Sequence, residues 1–124
     1  MNEKMLQKVL REGTLPIADL ASGVVDFRTF LSRYDNFYYR AGIDGFDCSP
    51  EQQRLLQQFA KAVDFHKSVQ TIIDRVYLDA LNNAEQFRSA GRIDEKEAEQ
   101  SIREVAQRFD VSKIFDSLDS ARTS

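Results

Sequence analysis

The feature that most constrains this chain is a run of residues at alternating spacings of four and three over residues 55–87. This spacing places one side of a helix against another helix. A second line of apolar residues at seven-residue intervals widens that side, so the helix needs more than one neighbour. The run, here called the seam, comprises Leu55, Phe59, Ala62, His66, Val69, Ile73, Val76, Ala80, Asn83 and Phe87. We therefore predict an all-α fold built on one long amphipathic helix over about residues 50–90.

Capping signals mark the ends of this helix and the start of the next one. Ser49 is a good N-cap, Pro50 suits the first helical position, and Gln52 completes a capping box. Asp94 and Glu97 form the same kind of helix start, which predicts a returning helix over about residues 94–109. The two helices together predict a small helical bundle or helical hairpin. A break near Asn83 is the alternative, because asparagine is a poor interior helix residue.

Glycine and proline divide the rest of the chain. They predict a short helix over residues 3–11 that ends at Gly13, and a brief helical stretch that begins at Pro16 and ends at Gly23. Apolar spacing predicts a helix over residues 24–41, a loop over residues 42–48, and a last short helix after residue 111. We interpret residues 1–124 as a single helical domain with a frayed tail from about residue 119.

Composition excludes several function classes. The net charge of −3 argues against nucleic acid as a partner, because a phosphate backbone is normally held by a concentrated basic surface. Cys48 is the single cysteine, so no disulfide framework or CxxC-type metal site is possible. The N-terminus lacks the apolar core of a signal peptide, and no apolar run is long enough to cross a bilayer. These features predict a cytoplasmic protein with no membrane partner.

The length of the predicted helix indicates self-association. A straight helix over residues 51–90 would span roughly 60 Å at about 1.5 Å per residue. A compact protein of this size has a radius of gyration of only about 14 Å. The helix would then leave part of its seam for a second copy to cover, which predicts a homodimer. The predicted self-association residues are Phe59, His66, Val69, Ile73, Val76, Asn83 and Phe87.

A second cluster of residues indicates a protein-binding surface. Three of the four tyrosines lie between two arginines over residues 33–40, on a helix whose apolar side needs only some of them. Tyrosine and arginine are enriched at interface hot spots because each covers apolar area and keeps a polar end. The predicted partner-binding residues are Arg33, Tyr34, Phe37, Tyr38, Tyr39 and Arg40, with Phe37 and Tyr39 as the surplus aromatics. The alternative is that these rings only cover the long helix.

His66 is the single histidine and the one ionisable side chain in the seam. It could bind a haem or metal ion, or change charge with pH. A lone histidine on an apolar side more often forms hydrogen bonds within a core, and no second histidine or Glu-x-x-His pair completes a bundle metal site. The sequence also contains no phosphate-binding loop, nucleophile motif or paired carboxylates. We expect no metal, no cofactor and no catalytic residues.

Three functional hypotheses follow. The leading one is a non-enzymatic protein–protein interaction module, such as a small regulator, adaptor or assembly factor, whose partner is another protein. The second is a bundle that binds a small hydrophobic ligand or cofactor among Phe59, His66, Tyr38 and Tyr77. The third is a helical transcription regulator, which would require a helix-turn-helix in residues 2–23.

Overall fold

The structure is a computed structural model that describes residues 2–76 and 92–120. Within these residues the chain is all-α, as predicted, and forms no β-strand beyond one isolated bridge between Val76 and Ile93. The helices are α1 (Glu3–Ala21), α2 (Phe27–Tyr34), α3 (Phe37–Arg40), α4 (Pro50–Gln58), α5 (Ala60–Ile73), α6 (Glu95–Phe109) and α7 (Val111–Ser120). None of them is both long and apolar enough to cross a membrane.

Helix α1 corrects the prediction that Gly13 and Pro16 divide the N-terminal region. It is one helix that contains both residues. An interior proline costs about 3 kcal/mol and a glycine about 1 kcal/mol. The helix buries four large aliphatic side chains, each worth roughly 1.5–3 kcal/mol, so burial outweighs both costs. These side chains are Leu6, Leu10, Ile17 and Leu20. The helix-turn-helix that a transcription regulator would need in residues 2–23 is therefore not formed.

Gly23 ends α1 as predicted. Its φ of 79° is left-handed, a conformation that glycine adopts without a Cβ penalty. The Gly23 N–H donates to the Leu20 carbonyl at 3.1 Å, and the Val24 N–H donates to the Asp19 carbonyl at 2.8 Å. These two bonds form a Schellman motif, which satisfies carbonyls at the helix end.

The predicted helix over residues 24–41 is two helices, α2 and α3. Asp26 caps α2 by accepting a hydrogen bond from the Thr29 N–H at 2.7 Å. The chain then turns at Asp35 and Asn36, whose φ values of 47° and 51° are both left-handed. Aspartate and asparagine tolerate this conformation better than other non-glycine residues. The helical spacing of the aromatics continues across the turn, so spacing alone does not reveal the break.

The prediction of one long helix over about residues 50–90 is wrong. Ser49 caps α4 as predicted, but the helix ends before Phe59, whose φ of −111° and ψ of 31° lie outside the helical region. Phe59 is almost completely buried, whereas α4 itself buries no residue, so the chain bends where the core begins. Helix α5 ends at Ile73, and the Ile93 N–H then donates to the Arg75 carbonyl at 2.9 Å. The alternative break near Asn83 lies outside the described residues.

The returning helix is confirmed as α6. Its N-cap is Asp94, which accepts a hydrogen bond from the Glu97 N–H at 2.8 Å, as predicted. The last short helix is confirmed as α7, which runs to Ser120. Asp119, where the tail was predicted to fray, lies in α7 and pairs with Arg11 at 2.7 Å, and residues 121–124 are outside the described residues.

Helix α1 lies at the centre of the bundle and contacts α2, α5, α6 and α7. Helix α5 packs mainly on α6, and α3 packs on α5. Side chains from these helices form one core cluster. Helix α4 contributes only half-buried leucines to this cluster and is the most peripheral of the longer helices.

Candidate functional site

The predicted partner-binding residues divide into a buried group and an exposed group. Tyr34, Phe37 and Tyr38 are buried in the core. Arg33, Tyr39 and Arg40 are exposed. The turn at residues 35–36 separates α3 from α2, and Phe37, predicted to be a surplus aromatic, packs in the core. Of the two surplus aromatics, Tyr39 alone remains on the surface, where it is 49% exposed.

Phe37 packs where α1 has no side chain. A Cβ placed on Gly13 would lie 2.4 Å from the Phe37 Cζ, so the phenyl ring occupies the space that glycine leaves. The ring centroid of Phe37 is also 4.9 Å from that of His66. Gly13 therefore serves the close packing of α1 on α3 and does not end the helix.

Arg33 and Arg40 form polar contacts that stabilise α2 and the turn between α2 and α3. Arg33 pairs with Asp19 of α1 at 2.7 Å. Arg40 donates from Nε to the Asp35 carbonyl at 3.2 Å and from Nη2 to the Tyr34 carbonyl at 3.3 Å. A cation at a helix C-terminus satisfies carbonyls that have no partner within the helix. Arg40 thus caps α2 from the next helix.

A chain of hydrogen bonds holds Tyr39 in place. Its hydroxyl donates to Asp74 Oδ2 at 2.5 Å, and this bond is the main reason that the pKa of Tyr39 is raised to about 12. Asp74 Oδ1 accepts from Gln70 Nε2 at 3.0 Å, and the same amide donates to Asn36 Oδ1 at 3.2 Å. The α2–α3 turn, Tyr39 and the end of α5 are therefore connected by polar contacts.

The loop after α3, here called the Phe46 loop (residues 41–49), is the second exposed aromatic site. Ile43 anchors the loop in the core, and the Gln53 side-chain amide of α4 donates to the Gly45 carbonyl at 3.0 Å. Phe46 is 79% exposed. The glycine spacing predicts this loop, but Phe46 is not among the predicted binding residues. A phenylalanine between two aspartates in a glycine-containing loop is the signal that could have indicated it.

His66 lies at the centre of a buried hydrogen-bond relay. Thr14 donates its single hydroxyl hydrogen to the Leu10 carbonyl at 2.7 Å, so its oxygen must accept from His66 Nε2 at 3.0 Å. His66 Nδ1 then has no hydrogen and accepts from the Tyr34 hydroxyl at 2.6 Å. The relay fixes one neutral tautomer of the imidazole and satisfies every polar atom in it.

Burial keeps this histidine neutral. The side chain has 0% exposure, and desolvation lowers its pKa to about 3. Desolvation likewise raises the pKa of Tyr34. Both ring nitrogens already have partners, so neither is available to a metal or ligand in this conformation. Of the residues predicted to surround a ligand here, Phe59 and Tyr38 are also buried, and Tyr77 lies outside the described residues.

The predicted self-association seam lies partly inside the bundle. Phe59, His66 and Val69 are buried by contacts within one chain, so they offer no surface to a second copy. Ile73, the last residue of α5, and Val76, three residues after it, are half-buried. Asn83 and Phe87 lie outside the described residues.

Among the residues that the structure describes, no group of three or more His, Cys, Asp or Glu side chains could hold a metal ion. Cys48 is a half-buried free thiol whose Sγ lies 3.7 Å from the Gly42 carbonyl oxygen. Comparison with protein-family models, with curated proteins and with solved structures found no match to this chain.

Proposed function

We propose that this protein is a non-enzymatic protein–protein interaction module, a small regulator, adaptor or assembly factor that works in the cytoplasm. Its binding surface is centred on Tyr39. The observation that carries this proposal is that Tyr39 is half-exposed and yet fixed through Asp74 to the end of α5. An aromatic side chain that is already ordered loses little entropy on binding, and tyrosine is a frequent hot-spot residue.

The buried polar groups favour a structural role over a catalytic one. Tyr34, His66 and Thr14 satisfy one another within the core and have no access to solvent. A general acid or base must reach the proton that it transfers. These groups therefore support the packing of α1, α2 and α5, and the exposed aromatics are left for recognition.

The alternative of a small hydrophobic ligand near His66 receives less support. A ligand that contacted the imidazole would have to displace the hydroxyl of Tyr34 or of Thr14 and leave it without a partner. An unsatisfied buried hydroxyl costs about 1–3 kcal/mol, which such a ligand would have to offset.

Self-association through α5 remains part of the proposal in a narrower form. Among the predicted self-association residues that the structure describes, a second copy could reach Ile73 and Val76, which are half-buried, and not Phe59, His66 and Val69. A dimer formed through Ile73 and Val76 would lie next to Asp74, which holds Tyr39.

Site-specific photo-crosslinking tests the proposal. Benzoylphenylalanine at position 39 should form an adduct with another polypeptide when the protein is irradiated in an extract of its source. The matched control is the same group at Val24, which is 70% exposed and follows α1. We expect a discrete adduct from position 39 alone. Equal adducts from both positions, or none from position 39, would contradict the proposal.

A further inference from the structure

The Phe46 loop has a backbone that holds an aromatic side chain out of the protein. Gly42, Gly45 and Asp47 adopt left-handed φ values of 72°, 81° and 59°. The Phe46 N–H donates to Asp44 Oδ1 at 3.4 Å, and Gln53 holds the Gly45 carbonyl from α4. Exposing most of a phenylalanine forgoes roughly 1.5–3 kcal/mol of burial. The loop is thus anchored on both sides of a side chain that remains mostly exposed.

The sequence next to Phe46 is acidic. Residues 41–53, which lie between Arg40 and Arg54, contain Asp44, Asp47 and Glu51 but no lysine, arginine or histidine. In the described part of the chain, none of these three carboxylates forms an ion pair with a basic side chain.

The negative charge of Asp44 also affects the pKa values of Tyr38 and Tyr39 in α3. Asp44 and Asp64 both contribute, after burial, to the raised pKa of Tyr38. Asp44 also contributes to the raised pKa of Tyr39, after its hydrogen bond to Asp74. The same carboxylate accepts the hydrogen bond from the Phe46 N–H. This carboxylate links the loop to the proposed Tyr39 surface.

We propose that the Phe46 loop inserts its phenyl ring into an apolar pocket of a protein partner that is rimmed by lysine or arginine side chains. This inference rests on the proposed function and adds the chemistry of the partner. Phe46 supplies the apolar anchor, and the carboxylates of Asp44 and Asp47 supply the charge complementarity. Such charges accelerate association and reject acidic competitors, and the buried aromatic ring provides most of the affinity.

Peptide display on the purified full chain tests this inference without a known partner. The probe is a random peptide library selected on the wild-type protein. We expect enriched peptides to combine an apolar segment with flanking lysine or arginine residues. Phe46→Ala should weaken their binding at least tenfold, whereas Val24→Ala, which also shortens an exposed apolar side chain, should leave it unchanged.

A second variant isolates the charge. The double substitution Asp44→Asn with Asp47→Asn removes two negative charges. At position 44 the asparagine oxygen can still accept from the Phe46 N–H. At position 47 asparagine tolerates the left-handed conformation that Asp47 adopts. This variant should bind the selected peptides several-fold more weakly and with less dependence on salt concentration. Circular dichroism should show that both loop variants keep the helical fold.

The outcomes separate this inference from the proposed function. Selected peptides that bind Phe46→Ala as tightly as wild type, or that are enriched in acidic residues, overturn the inference and leave the Tyr39 surface in place. A dimer that Phe46→Ala abolishes would identify the occupant as a second copy and would also overturn it. A chain that selects no peptide above an unrelated control protein overturns it as well, and the crosslink from position 39 then decides the proposed function independently.

Discussion

His66 makes the folded state sensitive to acid because its hydrogen bonds require a neutral ring. A charged imidazole would donate from both nitrogens, and the Tyr34 hydroxyl would lose the acceptor that it has now. Tyr34 from α2 is the titratable group that contacts the ring directly, and α1 presents the uncharged Thr14. Burial dominates the lowered pKa of His66, against a smaller opposing effect of the Leu10 backbone.

The pH dependence of stability follows from this pKa. The ordinary pKa of histidine is 6.5, and that of buried His66 is about 3. Between these values the unfolded chain binds a proton that the folded chain does not bind. The contribution of His66 to stability is therefore complete above pH 6.5 and is lost as the pH falls towards about 3. The free energy of unfolding should fall by up to about 1.4 kcal/mol per pH unit in this window.

Urea unfolding of wild type and His66→Gln measures this effect. Glutamine can still donate or accept a hydrogen bond but carries no proton that titrates. The variant should be less stable at neutral pH and should lose less stability between pH 6.5 and the onset of carboxylate titration. Parallel pH profiles for the two proteins would show that His66 is not the source of the dependence.

At Gly13 two effects oppose each other: alanine would favour the helix, but its methyl group would clash with Phe37. Alanine is better than glycine inside a helix by about 1 kcal/mol, but overpacking a core costs about 1–3 kcal/mol. The added methyl group would clash with the phenyl ring of Phe37, which packs between α1 and His66 and has little room to move. We expect Gly13→Ala to lower the free energy of unfolding by about 1–2 kcal/mol.

A compensating substitution provides the control for Gly13→Ala. Phe37→Leu leaves a smaller side chain opposite the new methyl group, so the double variant should lose less stability than the sum of the two single changes. Additive losses, or a more stable Gly13→Ala protein, would refute the close packing of Phe37 on Gly13.

At the scale of helices, α4 and α5 differ in how firmly they are attached. Helix α4 buries none of its residues, whereas α5 buries Ala62, Phe65, His66, Val69 and Gln70. Helices with few buried contacts open locally without global unfolding. Backbone amides of α4 should exchange with deuterium on the order of tenfold or more faster than those of α5. Equal protection of the two helices would mean that they unfold as one unit.

The helices also show what local sequence chemistry can predict. The caps at Ser49 and Asp94 and the end of α1 at Gly23 depend on side chains and backbone within a few residues, and all three predictions are confirmed. The break at Phe59 and the continuation of α1 through Pro16 depend on contacts with other helices. Those contacts are not encoded in the spacing, and an unbroken seam therefore predicted one helix where the core requires two.

For the whole molecule, contacts between helices also decide which candidate site residues are exposed, and residue spacing does not reveal those contacts. Residue type selected Tyr34, Phe37 and Tyr39 alike as partner-binding residues, but Tyr34 and Phe37 are buried in the core and Tyr39 is exposed. The turn at Asp35 and Asn36 decides this division, and its effect appears only once α3 is packed on α5. Phe46 was missed because a single exposed aromatic in a loop has no periodicity to mark it.

We propose that this chain acts by binding another protein and not by binding a small molecule. Native mass spectrometry of the protein isolated from its own source tests it most directly, because one spectrum gives the mass of every species that remains bound. We predict a complex of the chain with another polypeptide and no small-molecule adduct on the free chain. A chain whose mass is raised by a metal or small organic molecule would contradict the claim and would direct attention to the bundle interior around His66.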